Sequence, residues 1–156
     1  MALAGINSIL ITSPITTNLK AQVVNYVASY ESEVLIVLDS EMGLSVLKKA
    51  IDSDRALGVV VDVDIEMGRT GTRDLETILR IIEGIESDDR FIFRGVQHYS
   101  GHLMHIANYA ERREKSLLMW DKVSAMLHSL DSRNVDLSLI HISEPTRLLS
   151  IGDGGV

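Results

Sequence analysis

At 156 residues the chain fits one ordinary domain, and 46% hydrophobic against 24% charged residues is the balance of a globular protein with a real core. The net charge of -7 argues against nucleic acid, because phosphate binding needs a concentrated basic face and the Lys and Arg residues here are scattered. No cysteine is present, which excludes disulfides, thiolate metal sites and cysteine nucleophiles.

Residues 3–15 are apolar but fall short of the roughly 18 to 20 residues of a membrane span. They lack a preceding basic region and a small-residue cleavage site, so the segment reads as a buried strand and a cytoplasmic location is expected. The first strand is predicted over 6–13, ending at Pro14, which cannot donate to a ladder. Thr16 or Thr17 then caps a helix running to about residue 30, with Leu19, Val23, Val24 and Val27 on its stripe. A second strand at 34–38 precedes a helix at 41–51 whose core face is Leu44, Leu47 and Ile51. Residues 58–65, rich in β-branched Val, make the strongest strand. The loop Met67-Gly68-Arg69-Thr70-Gly71 leads to a helix at 73–85 with Leu75, Ile78, Leu79 and Ile82 on one side. A fourth strand at 91–99 and a long helix at 110–130 complete the regular pattern.

Strands separated by helices of ten or more residues imply crossovers and a parallel sheet, hence an α/β fold. Near-continuous apolar strands agree, because parallel strands are covered on both faces. Element order alone leaves open whether the sheet is doubly wound or part of a closed barrel.

Two clusters can carry chemistry. In GVVVDVDIEMGRTG, residues 58–71, a period of two sets Val59, Val61, Val63 and Ile65 against Asp62, Asp64 and Glu66. Buried carboxylates need a cation, hydrogen bonds or water. Arg69, at the carboxyl end of the strand, is the expected local cation. A structural polar layer and magnesium binding are both open readings of these acids, whereas neither GxGxxG nor a Walker pattern is present. Ligands of parallel α/β folds gather at the carboxyl ends of strands, so a site belongs here.

The second cluster is GVQHYSGHLMH, residues 95–105. Gln97 and Tyr99 share one face of the strand end and His98 takes the other. His102 and His105 are three apart, but without a third ligand or an HExxH they read as hydrogen-bonding loop residues. No GxSxG elbow is present, which leaves a nucleophilic hydrolase unsupported.

Together, VDVDIEMGRTG and the later FRGVQHYSGHLMH resemble the D-threonine aldolase and D-serine dehydratase group of the alanine-racemase-like pyridoxal-phosphate enzymes. That pattern is similar to a strand ending Asp-Val-Gly-Met-Gly-Arg-Cys-Gly and a later Gly-Leu-Gln-Ala-Tyr-His-Gly-His. It is matched here at 64–71 and 95–102, with Glu66 in place of a glycine and Thr70 in place of a cysteine. The opening AGINSILITSPI also resembles the segment after the strand that follows the cofactor lysine, so the likeness runs over about residues 3–136.

The resemblance implies a partial (β/α)8 TIM-type barrel of about four parallel βα units. It implies that pyridoxal phosphate is the cofactor and a small D-amino acid the substrate, in a parent that is often a dimer. Arg69 would reach the cofactor's phenolic oxygen, Tyr99 would lie against its ring or beside the substrate, and Gln97 and Asp64 would be neighbouring polar groups. The Schiff-base lysine is expected upstream of residue 1, the glycine-rich phosphate strand just after residue 136, and the divalent-metal ligands in a further β domain. Lys20, Lys48 and Lys49 do not match that lysine. Cleavage of D-β-hydroxy amino acids is the leading expectation. The alternatives are a D-serine dehydratase, a non-catalytic cofactor-binding barrel protein, and a free-standing α/β binding module.

Residues 137–147, LSLIHISEPTR, have mixed polarity and resemble the translation of a transposase adapter used in sequencing libraries. On that reading the barrel segment is 1–136 and 137–156 is a non-native tail. A partial barrel has unpaired sheet edges and an uncovered apolar face, so the isolated chain is expected to aggregate or to be molten.

Overall fold

The computed structural model describes residues 6–30, 33–52, 54–133, 135, 137 and 140–143. Strands and helices alternate: β1 (Ser8–Ile11), α1 (Asn18–Ala28), β2 (Glu33–Leu38), α2 (Glu41–Ala50), β3 (Leu57–Asp62), α3 (Leu75–Glu86), β4 (Phe91–Tyr99), a 3-10 turn at Gly101–His105, α4 (Tyr109–Asp131) and β5 (Ile140–Ser143). Each helix starts where a short polar side chain can bond the first free N–H groups. Thr17, Ser40, Asp74 and Asn108 accept from the backbone N–H of Lys20, Gly43, Thr77 and Glu111.

The strands form one sheet in the order β1-β2-β3-β4-β5, every neighbouring pair parallel. A doubly wound sheet reverses its order at a switch point, and this one never does. Crossovers of one hand applied without reversal lay every helix on the same face, which is barrel-type winding. Consecutive helices pack accordingly, α1 on α2, α2 on α3 and α3 on α4. Between sheet and helices lies the core, where Ile36, Leu38, Val59 and Val61 meet Leu44, Leu47, Ile78, Ile81, Ile82 and Ile85.

The helix faces match expectation in α2 and α3 but only in part in α1. Leu19 and Val23 are largely exposed, whereas Val24 is buried and Val27 packs on the core as expected, together with the unforeseen Ala21 and Ala28. Two apolar stripes compete on this helix, and the one with two alanines lets the backbone lie closest to the sheet. β1 is also shorter than the predicted 6–13.

The tail differs from its expected lack of strand character. Backbone of Ile140–Ser143 pairs in parallel with Val96–Tyr99. The free edge of β4 offers unpaired N–H and C=O groups, and the alternation Ile-His-Ile-Ser supplies β-branched residues at every second position. The glycine-rich strand expected just after 136 is not what occupies this place, because 140–143 contains no glycine. Residues 144–147 of the adapter-like string lie outside the described residues. No described helix is long and apolar enough to cross a membrane.

Candidate functional site at the carboxyl ends of the strands

The end of β3 sorts its three acids into three different jobs. Asp62 is buried and accepts from Gln97 Nε2 at 3.4 Å. Burial raises its pKa above the ordinary carboxylate value and the neighbouring Asp39 adds to the rise, while hydrogen bonds from Thr70 and Gln97 oppose it. Asp64 accepts the Gly68 N–H on both oxygens, at 3.1 and 3.0 Å, and takes Arg73 Nε and Nη2 at 3.0 and 2.8 Å. Glu66 swings outward onto Lys122 of α4, which lowers its pKa.

The cation on Asp64 is therefore Arg73 and not Arg69. After β3 the chain loops back on itself: Thr72 N–H donates to Asp62 O at 3.0 Å, and Asp64 N–H to Thr72 O at 3.1 Å. That closure seats residue 73 beside Asp64 and holds Arg69 out at the loop's far side. Asp64, expected beside the cofactor, is a loop anchor whose carboxylate is already engaged, and it does not line the cavity described below.

β4 contributes Gln97 and Tyr99 only because of an irregularity. Val59 pairs with Phe93, but Val61 pairs with Val96, so one extra residue is inserted in β4. Gly95 sits there with φ 111°, a conformation that side-chain-bearing residues rarely adopt. The insertion inverts the alternation. Phe91 and Phe93 pack on the helix-side core before it, and Val96 does so after it. Gln97 and Tyr99 are thereby turned to the inner face, where uninterrupted pleating would have sent them under the helices. His98 takes the helix side: its Nδ1–H donates to Val63 O at 3.0 Å, leaving Nε2 to accept the Ser100 hydroxyl at 2.5 Å.

These elements frame a half-open cavity of about 570 Å³ lined by Thr12, Ser13, Pro14, Arg69, Thr70, Gln97 and Tyr99. The Arg69 guanidinium carbon lies 4.8 Å from the centre of the Tyr99 ring, within cation–π range. Among the described residues Arg69 makes no ion pair with a carboxylate. Gln97 is 4% exposed, and its Oε1 is buried with no hydrogen-bond partner among the described residues. Such an orphaned acceptor is costly and calls for a donor.

Thr12, Ser13 and Pro14 were not foreseen as site residues. Their signal was available, since they stand at the carboxyl end of the strand predicted over 6–13, and in the structure they directly follow β1. His102 contacts Met67 Sδ at 3.3 Å, and no group of three or more His, Asp or Glu suited to a metal is found among the described residues. All five lysines, at 20, 48, 49, 115 and 122, lie on helices, and none lines the cavity.

No family model matches the chain. It is similar to a 3-hydroxy-D-aspartate aldolase of Paracoccus denitrificans, 24% identical over 115 residues that make up 73% of this chain and 30% of the relative. Among solved structures, a D-threonine aldolase from Filomicrobium marinum matches with a TM-score of 0.84 at 19% identity, covering 92% of this chain and 39% of that one. Alanine racemases from Bacillus anthracis and E. faecalis match with TM-scores of 0.62 and 0.64, at 19% and 18% identity over 90% of this chain. The fold is that of alanine-racemase-like barrel domains, and the chain spans roughly a third of the length of each relative: 30%, 39%, 34% and 35%.

Proposed function

We propose that this chain forms one wall of a pyridoxal-phosphate site in a lyase that cleaves D-β-hydroxy amino acids to glycine and an aldehyde. The observation that carries the reading is the pairing of an Arg69 guanidinium that no described carboxylate engages with the Tyr99 ring, over a cavity whose Gln97 Oε1 lacks a donor among the described residues. The cavity volume lies within the usual range of ligand sites, roughly 300 to 1,000 Å³.

When bound, pyridoxal phosphate supplies the electron sink for the carbanion left by Cα–Cβ cleavage. Arg69 would hold its phenolic oxygen as an anion, since a guanidinium keeps its protons and offers directed donors. Tyr99 would bound the ring or the substrate laterally, and Gln97 Oε1 would accept a hydrogen bond. Burial beneath the cavity disfavours the charged form of Asp62, which lessens negative charge near Arg69, and Glu66 is turned away onto Lys122. Asp64, with Arg73, would fix the loop that carries Arg69.

The chain's own lysines are poorly placed to attack the cofactor, so in this reading the 156 residues bind without turning over. The described residues do not fit a divalent metal. Similarity to two proteins named as aldolases favours carbon–carbon cleavage over the water elimination of a dehydratase. A cytoplasmic setting belongs to the same reading.

The test uses the longest protein that the reading frame encodes, titrated with pyridoxal phosphate by visible absorbance and assayed for glycine released from D-threonine and 3-hydroxy-D-aspartate. Cofactor-dependent release from D but not L isomers is expected. Absence of cofactor binding would sink the proposal.

A further inference from the structure

Tyr99 is 37% exposed, yet its ring needs a fixed position to serve the site. Its neighbour in space is Gly101, two residues further along the chain. A Cβ built on Gly101 would come within 2.6 Å of Tyr99 Cε1 and closer still to Cζ and the phenol oxygen. Real Cβ atoms do not tolerate such contacts, so the phenol end of the ring lies directly on glycine backbone.

The backbone beneath the ring is itself held. Ser100 is buried and its hydroxyl is tied to His98, which is tied in turn to the carbonyl of Val63, just past the end of β3. The Ser100 carbonyl accepts the Leu103 N–H at 3.1 Å and starts the 3-10 turn. The strand end, the serine and the turn thus fix where the Gly101 Cα stands, and a missing side chain there is what gives the ring its place.

We infer that Gly101 is the positioning residue for Tyr99, setting where the phenol stands beside Arg69. The inference rests on the proposed cofactor site but is separable from it. Gly101→Ala pushes the phenol end off the turn, and the half-exposed ring has room to move away. Adding a methyl group here affects the site through Tyr99, so its effect requires Tyr99 to be present.

The experiment is a double-mutant cycle in the longest product of the reading frame, with ring-labelled tyrosine followed by NMR and pyridoxal-phosphate affinity by absorbance. Gly101→Ala is expected to shift the Tyr99 ring signals and weaken the cofactor by about fivefold, an ordinary coupling for touching residues. In a Tyr99→Leu background the same change is expected to cost less than about twofold. Ser100→Ala, which adds no atoms, should move the signals in the same direction by less. Far-UV circular dichroism checks that each variant folds; should Gly101→Ala not fold, Ser100→Ala carries the test. Unmoved Tyr99 signals, or an equal loss with and without Tyr99, would overturn the inference. Ring signals that shift in a protein that never binds the cofactor would leave the Gly101–Tyr99 contact standing and remove the functional reading instead.

Discussion

The two rims of the sheet use arginine in opposite ways. At the amino-terminal rim, Arg90 bonds Asp88 through Nε and Nη2 and the carbonyls of Lys48 and Ile51 through Nη1. Arg94 reaches Glu33, and Arg55 bonds the Tyr30 carbonyl. At the carboxyl-terminal rim, Arg73 is consumed by Asp64, but Arg69 rests on an aromatic face beside a cavity. Saturated guanidinium groups hold elements together; an unsaturated one at a strand's carboxyl end is available to a ligand. Both rims belong to the same strands, so the difference is one of use and not of composition.

That contrast can be broken by substitution. Arg90→Ala has the largest expected effect, a clear fall in the urea-unfolding midpoint, because two backbone carbonyls and a carboxylate lose a charged donor together. Its cofactor affinity should stay unchanged. Arg69→Met should do the reverse, leaving the unfolding midpoint in place while weakening pyridoxal phosphate by roughly tenfold, the scale of one charge-assisted contact. Asp64→Asn stands between them. It loses the charge under Arg73 and should cost about 1 kcal/mol, with a smaller loss of cofactor affinity because the loop bearing Arg69 loosens.

The smallest effects sharpen the comparison through pH. Arg90 holds the Asp88 pKa down at about 2, so its stabilisation is present above the ordinary carboxylate pKa and lost as pH falls through about 2. Asp62 has the opposite sign. Its raised pKa means that the neutral acid is the form the fold prefers, and stability is lost as pH rises through the raised value. Melting temperature against pH should therefore lose its acid-side slope in Asp88→Asn and its higher-pH slope in Asp62→Asn. Identical profiles in wild type and Asp62→Asn would show that this carboxylate is not desolvated.

The α/β class, the alternation of four strands with helices and the strand-end loops were legible from residues 6–130, because hydrophobic period and helix caps are local properties. The motifs at 64–71 and 95–102 carried the likeness to the D-threonine aldolase group for the same reason. Three matters were decided only in three dimensions. Sequential strand order made the winding barrel-like, a choice that no single segment encodes. Packing against the sheet selected the alanine stripe of α1 over the larger Leu19 and Val23. The extra residue at Gly95 and the loop closure through Thr72 determined which side chains reach the cavity, giving Arg73 to Asp64 and leaving Arg69 to Tyr99. Proximity in sequence favoured Arg69 for Asp64, but a hydrogen-bonded loop sets distance by its closure and not by the count of residues along it.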